Sequence, residues 1–355
     1  MGRPSLSKFV NRTDIASTAI GATQPSPTLV QIGFPVGNVL YKHLLLSYRG
    51  TLSLTASAAG TIVSRGGLQF LRSIMLETDK HGRIIDGLDG IMLHVMQMIR
   101  SGVRPPNTDI TDAATGAPSF IYALDIPFFD EDAARQEDLG LDLYGARPTL
   151  TTQVGVVGDF ISGGTYSVET VDLFPQEIHA EIDPGPVAAG DSPLLMPYWG
   201  VRKEPISSTT TQYQIQLPYG DRVYKRIFLC QRDGVTLAEL SNTVCGANAT
   251  DRLSLKINGY SWTDSIQWRA LQDRNAQAYK LAAMPTGVAV LDFVPKRSRG
   301  ALLSDALSVV NNVAGTAELA IDVTTASGDQ LWIGMECAKP IPPAALRPAP
   351  AANGA

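Results

Sequence analysis

The chain has 355 residues, 44% of them hydrophobic and 18% charged, with a formal net charge of −5. That length allows about two domains, and the hydrophobic share excludes a largely disordered chain. The negative balance excludes an outer surface that wraps nucleic acid through a concentrated basic stripe, leaving room only for local basic arms. The 32 glycines and 23 prolines, among many Ser and Thr, favour short strands joined by turns. Cys230, Cys245 and Cys337 are an odd number without C-x-x-C spacing, which points to buried thiols instead of a disulfide framework or a zinc knuckle. Met1 to Val10 holds Arg3, Pro4 and Lys8 with no apolar segment behind it, so no signal peptide is expected. No run approaches the ~18 apolar residues of a membrane span. Assembly in a cytoplasm is the expectation.

Residues 1–28 are polar and small, carry Arg3, Lys8 and Arg12, and are broken by Pro25 and Pro27. They read as an N-terminal arm. Strand signals begin at Leu29-Val30-Gln31-Ile32 and continue through Tyr41 to Tyr48 and Thr51 to Thr55, where apolar and polar residues alternate. Phe70 to Glu77 is a further apolar run, closed by the turn Asp79-Lys80-His81-Gly82. Ile91 to Ile99 predicts a short helix ending at Ser101-Gly102, its methionines filling a core. The strand Phe120 to Leu124 leads into Asp125-Ile126-Pro127, a charged helix-like segment, and a strand from Pro148 to Val156. Tyr166 to Ile182 alternates for long enough to be one closing strand. Asp183 to Pro193, rich in proline and glycine, reads as a tight linker.

The second half opens with Tyr198 to Lys203 and Gln212 to Leu217, followed by strands at Val223 to Gln231 and Leu253 to Ile257. Asp264 is expected to cap a helix from Ser265 to Tyr279. Then come Val288 to Leu291, Asp292-Phe293-Val294-Pro295, a helical segment from Ala301 to Asn312, and the alternating strand Ala317 to Val323. These are the parts of Ser119 to Val156 in the same order. Matching Asp125 to Asp292 gives an offset of 167 residues, and matching Val154 to Val323 gives 169. A nearly constant offset close to half the chain marks one unit built twice. The last strand is Gln330 to Glu336, and beyond Lys339 the chain is a Pro/Ala-rich tail.

No catalytic template fits. There is no G-x-S-x-G, H-E-x-x-H, Walker loop or Rossmann fingerprint. His43, His81, His94 and His179 share no metal-ligand spacing, so no metal and no cofactor is expected. Gly66-Gly67 and Gly163-Gly164 read as turn glycines. The acids of Phe129 to Asp138 suit a solvated helix start better than a Ca²⁺ loop. Asp125 and Asp292 could form an acid and base, but their equivalence in two copies favours strand-end residues that tie down loops. Asn11-Arg12-Thr13 and Asn248-Ala249-Thr250 match the glycosylation triplet and, with no secretory signal expected, read as chance matches. Catalytic, cofactor and metal residues are therefore all read as none.

Two β-rich units with helices at matching places, a basic arm, a Pro/Ala tail and Leu124-Asp125-Ile126-Pro127 at a strand end give this chain its likeness. It resembles the double jelly-roll major capsid proteins of tailless icosahedral viruses, such as the tectiviruses and corticoviruses of bacteria. The resemblance implies an all-β fold of two tandem eight-stranded jelly-roll sandwiches with short helices in the connections. The divisions are an arm at 1–28, a first jelly roll at 29–183, a linker at 184–196, a second jelly roll at 197–339 and a tail at 340–355. It also implies a non-enzymatic coat protein that forms pseudo-hexagonal homotrimers and meets neighbouring capsomers, minor capsid, vertex or membrane proteins. The arm would reach an inner membrane, and nucleic acid would not be bound by sequence. The expected location is the virion, after assembly in the host cytoplasm. Two rivals share the sandwich: a two-jelly-roll glycan hydrolase of the peptide N-glycanase type, using Asp125 and Asp292, and a carbohydrate- or receptor-binding spike. The spike would present Trp199, Trp262, Trp268 or Trp332 on its surface, whereas their scatter over strands and a helix favours core anchoring.

Overall fold

The computed structural model describes residues 8–13, 19–21, 28–33, 39–58, 60–63, 65–101, 119–128, 141–142, 146–163, 165–173, 177–184, 195–206, 208–218, 222–234, 240–294, 307–308, 316–324 and 328–341. The chain divides into two compact units, Met1–Gln97 with Pro105–Pro197 and Ile341–Ala355, and Met98–Arg104 with Tyr198–Pro340.

The first unit begins with β1 (Lys8–Thr13), β2 (Ala19–Gly21), β3 (Thr28–Gly33), β4 (Val39–Ala58), β5 (Thr61–Ile62), α1 (Gly66–Phe70), β6 (Leu71–Thr78) and β7 (Gly82–Leu88). It continues with α2 (Gly90–Ser101), whose last turn from Met98 belongs to the second unit, then β8 (Ser119–Pro127), β9 (Leu141–Asp142), β10 (Pro148–Val154), β11 (Ile161–Ser162), β12 (Thr165–Leu173) and β13 (Glu177–Pro184). One sheet has the order β1-β13-β4-β12-β2, with β8 and β9 also paired to β4. The other run is β3-β10-β6-β7, and β5 pairs with β11.

The twenty-residue β4 organises the first sheet. The strands expected at Tyr41 to Tyr48 and Thr51 to Thr55 are one, because Arg49 and Gly50 stay in the ladder opposite Ile121 and Phe120. β13 pairs with Val39 to Ser47 and β12 with Gly50 to Ala58. Since β8 spans His43 to Thr51, it must use the other edge of β4. The single closing strand expected from Tyr166 to Ile182 is therefore two strands. Residues 174–176 between them lie outside the described residues; the sequence there is Phe174-Pro175-Gln176, and proline has no ladder N–H to give. A bulge explains the core side of β4. Glu181 faces His43 and Ile182 faces Tyr41, so Lys42 is the extra residue. One inserted residue flips the alternation, which is how Tyr41 and the even-numbered Leu44 and Leu46 are all buried.

The reading of 1–28 as wholly an arm is corrected by two strands. β1 pairs with β13 and β2 with β12. Edge strands gain backbone hydrogen bonds without a strong apolar pattern, so composition gave little warning. α2 lies close to its expected place. Asp89 Oδ1 accepts the Met92 N–H at 2.8 Å as an N-terminal cap, and Ile91, Met92, Leu93, Val95, Met96 and Ile99 are buried.

The second unit contains β14 (Leu195–Pro205), β15 (Thr210–Leu217), β16 (Val223–Arg232), β17 (Arg252–Ile257), β18 (Tyr260–Gln267), α3 (Trp268–Tyr279), β19 (Val288–Asp292), β20 (Leu307–Ser308), β21 (Ala317–Val323) and β22 (Gln330–Pro340). Its runs are β14-β22-β16-β19 and β15-β21-β17-β18. The chain hops between them strand by strand, with β17 and β18 as the one hairpin inside a run, and that path makes a jelly roll. Tyr224, Ile227, Leu229, Leu253, Leu255, Leu319, Ile321, Leu331, Ile333 and Met335 belong to one core cluster drawn from both runs.

The first unit repeats that path. β2, β3, β4, β6, β7, β8, β10 and β12 fill the places of β14, β15, β16, β17, β18, β19, β21 and β22, giving the runs β2-β12-β4-β8 and β3-β10-β6-β7. α2 follows β7 as α3 follows β18. At the 169-residue offset, β10 (PTLTTQV) and β21 (AELAIDV) have the same burial, with the second and sixth residues half-buried and the other five buried.

Two helix expectations are corrected. α3 starts at Trp268, because β18 stays paired with β17 as far as Gln267 opposite Arg252, which leaves Asp264 within a strand and Gln267 at the cap without a side-chain bond. Within Ala301 to Asn312, Leu307 and Ser308 form β20 against Tyr224 and Val223, since β16 extends past β19 and its edge takes a strand there. The rest of that segment, the charged stretch at 129–140 and the linker at 185–194 lie outside the described residues.

Candidate functional site

The chemical candidates from the sequence are dispersed. His81 sits in the turn after β6, its backbone N–H donating to Thr78 Oγ1 at 2.8 Å and its Nδ1 at 3.2 Å from the same hydroxyl. His94 is buried in α2, and His43 and His179 lie on β4 and β13. Among the described residues no three His, Cys, Asp or Glu side chains converge to hold a metal. The three cysteines are buried thiols outside any disulfide; burial, helped by the charge of Asp251, pushes the Cys245 thiol far up. Trp199, Trp268 and Trp332 are buried, as core anchors should be, while the side chain of Trp262 lies outside the described residues.

Gly66 and Gly67 are close-approach residues of α1, not turn glycines. A Cβ on Gly67 would sit 2.3 Å from the Tyr122 ring, and one on Gly66 would sit 2.7 Å from the Asp159 carbonyl oxygen. Gly163 does have the left-handed backbone of a turn, with φ +68.

Among the described residues, a charge row in the second unit joins five charged side chains, and sequence reading missed it. The ladder places Arg226 on β16 directly opposite Asp292 on β19 and Glu336 on β22. All ten residues of β16 are buried, so these charges are taken out of water as a set. Arg226 Nη1 donates to both Glu336 oxygens at 3.2 and 3.1 Å, its Nη2 donates to the Val294 carbonyl at 3.1 Å, and its Nε lies 3.4 Å from Asp292 Oδ1. Arg100 Nη1 reaches Glu336 Oε1 at 2.6 Å and stacks its guanidinium 5.6 Å from the Trp199 ring centre. Lys225 Nζ lies 3.6 Å from Glu336 Oε1. Asp292 Oδ1 accepts the Val294 N–H at 3.0 Å and Oδ2 accepts the Tyr279 hydroxyl at 2.5 Å. Burial, and then the Asp292 charge, push the Tyr279 phenol far above its ordinary value of 10.0. Buried charges persist only when paired and hydrogen-bonded, and this row meets that condition across three strands.

The aspartates weighed as acid and base thus have separate local roles. Asp292 in the second unit holds the β19 end to α3 and β16. Asp125 in the first unit donates its backbone N–H to Gln97 Oε1 of α2 at 3.3 Å. Carboxylates also tie the loops of the second unit: Asp251 Oδ2 accepts from Gly246 N, Asn248 N and Thr324 Oγ1, and Asp329 accepts from Gly234 N and Thr243 Oγ1. In the first unit Asp159 takes a two-pronged pair from Arg72 at 3.1 and 2.9 Å. These are fastening arrangements whose acceptors already hold protein donors. No helix among the described residues is long and apolar enough to cross a membrane.

No family model matches the sequence, and no curated protein matches it. Solved structures do. The major capsid protein of Sulfolobus turreted icosahedral virus superposes with a TM-score of 0.66 at 15% identity, over 94% of this chain and 97% of that one. The chain has the double jelly-roll fold. The major capsid protein of bacteriophage PM2 shares this double jelly roll with a TM-score of 0.55 at 12% identity, over 92% of this chain and 99% of its own. The Faustovirus major capsid protein matches with a TM-score of 0.58 at 8% identity, over 96% and 92%. At such identities it is the double jelly-roll path, and not a shared residue set, that is held in common.

Proposed function

We propose that this chain is a structural coat protein, the major capsid protein of a tailless icosahedral virus, and not an enzyme. The observation that carries the proposal is the twice-built jelly roll, matched nearly end to end by the major capsid proteins of three viruses. A brick made of two like sandwiches lets a trimer present six similar sides, which suits a hexagonal lattice. The protein would act by burying surface against copies of itself as a pseudo-hexagonal homotrimer, and then against neighbouring capsomers and the minor, vertex or membrane proteins of a virion. Parts of 1–28 outside β1 and β2, and the part of the tail expected at 340–355 that lies beyond the buried Ile341, are proposed to reach those neighbours, with the arm nearest an inner membrane. The first jelly roll, expected at 29–183, is assigned from β2 to β13 and the second, expected at 197–339, from β14 to β22, which shortens the linker expected at 184–196 at both ends; assembly is assigned to the host cytoplasm. Carboxylate and guanidinium pairs serve the sheets in this reading, in keeping with a protein whose work is geometric.

Mass photometry of the purified chain at micromolar concentration tests the reading. A trimer is the expected species, seen as hexagonal outlines or shells in negative stain. A stable monomer that forms neither would overturn it.

A further inference from the structure

The edge of β19 away from β16 is covered by side chains of α3 in a pattern that copies a strand. Phe293 N donates to Lys225 O on β16, so odd-numbered residues here turn their backbone toward β16 and Val288, Val290 and Asp292 turn theirs outward. Asn275 closes both groups of Val290, its Nδ2 donating to the carbonyl at 3.0 Å and its Oδ1 accepting the N–H at 2.8 Å. Gln272 Nε2 donates to the Val288 carbonyl at 2.9 Å, and the Val288 N–H goes to Pro285 O at 3.1 Å. Tyr279 reaches the Asp292 carboxylate. Gln272, Asn275 and Tyr279 share one helix face, and all three are buried. Seven residues of helix rise about 10 Å, while four residues of strand rise about 13 Å. The longer Gln and Tyr side chains at the two ends and the shorter Asn in the middle absorb that difference. The same place in the first jelly roll carries a simpler version, Gln97 of α2 on the Asp125 N–H.

We propose that α3 is an edge guard: its Gln272, Asn275, Tyr279 face occupies the strand-addition edge of β19 and so excludes the β19 strand of a second copy. The excluded partner follows from the strand itself. Val288-Ala289-Val290-Leu291 is uncharged, apolar and rich in β-branched residues, a segment whose open edge pairs with its own sequence. Gln272, Asn275 and the Pro285 carbonyl together bond the outward backbone groups of Val288 and Val290, which leaves no ladder group at these two residues for the β19 of another copy. The guard is independent of whether the chain builds a shell.

The test uses the full chain with Gln272→Ala and Asn275→Ala together, and a labelled peptide of the sequence from Thr286 to Phe293. Fluorescence anisotropy should show the peptide binding the double variant at least tenfold more tightly than the wild type, with a scrambled peptide inert. Hydrogen exchange at Val290 should accelerate at least tenfold in the variant and slow again when the peptide is added. Ile333→Val, a core change away from this edge, controls for lost stability and should not bind. If the double variant does not fold, Gln272→Ala alone leaves both Val290 bonds in place and should show a smaller gain. A folded variant that binds no better than wild type, or an Ile333→Val chain that binds equally well, overturns the proposal. The oligomer of the wild-type chain is measured separately, so failure of the coat reading is seen apart from failure of the guard.

Discussion

The two jelly rolls place an aspartate at the same position, opposite different residues in the ladder. Asp292 stands across from Arg226 in the ladder, whereas Asp125 stands across from Leu45. The rolls therefore share a path and a burial rhythm while differing in what holds the central strand. In the second, β16 is fixed by a charge row reaching β19 and β22. In the first, the long β4 pairs with β8 on one edge and with β12 and β13 on the other. A duplicated fold keeps the geometry of hydrogen bonding and apolar burial, since those are set by the backbone, and leaves the cross-strand chemistry free to diverge.

The largest break in this comparison should come from Glu336→Ala. It strips the shared acceptor from Arg100, Lys225 and Arg226 and leaves cations buried, a loss of about 3–5 kcal/mol in denaturant unfolding. Asp125→Ala, at the first roll's strand end, should lose about 1 kcal/mol or less, and equal losses would deny the difference between the rolls. Next, Tyr279→Phe removes the donor to Asp292 and should cost about 1.5–3 kcal/mol at neutral pH. It should also change the alkaline limb. The Tyr279 phenol is held above its ordinary value, so its contribution is intact below the unfolded value of 10.0 and is lost as pH rises beyond it. The variant should show a shallower decline above pH 10.0. The smallest effect belongs to Asp79 in the first unit, whose carboxyl is lowered chiefly by the Arg147 backbone N–H, at 2.8 Å. Its contribution is present above the unfolded value of 3.8 and fades as pH falls through the folded one, so Asp79→Asn should flatten the acid limb slightly.

Much of this fold was legible along the chain. The alternation of Gln212 to Leu217 and Ala317 to Val323, the helix after Gly90, and the matched Asp125 and Asp292 segments are local signals, and each marks an element of the structure. The departures have one origin. Gln267 stays in a strand because Arg252 is across from it, Leu307 pairs because β16 extends past β19, and the polar residues of β1 join a sheet because β13 offers an edge. In each, a partner distant in sequence decided the local state. The charge row was hidden for the same reason. Arg226 and Glu336 are 110 residues apart, and only the register, shifted by a bulge beside Lys225, sets them side by side.

By itself the amino-acid order determined which segments bury one face, where proline and glycine interrupt them, and that the pattern occurs twice. Those properties follow from the two-residue and 3.6-residue periods of side chains along a backbone. Tertiary structure alone decided the hop of strands between sheets, the bulges that turn Tyr41 and Tyr224 inward, and the pairing of Arg226, Asp292 and Glu336. Ladder register depends on both strands at once, so no single stretch of the chain contains it.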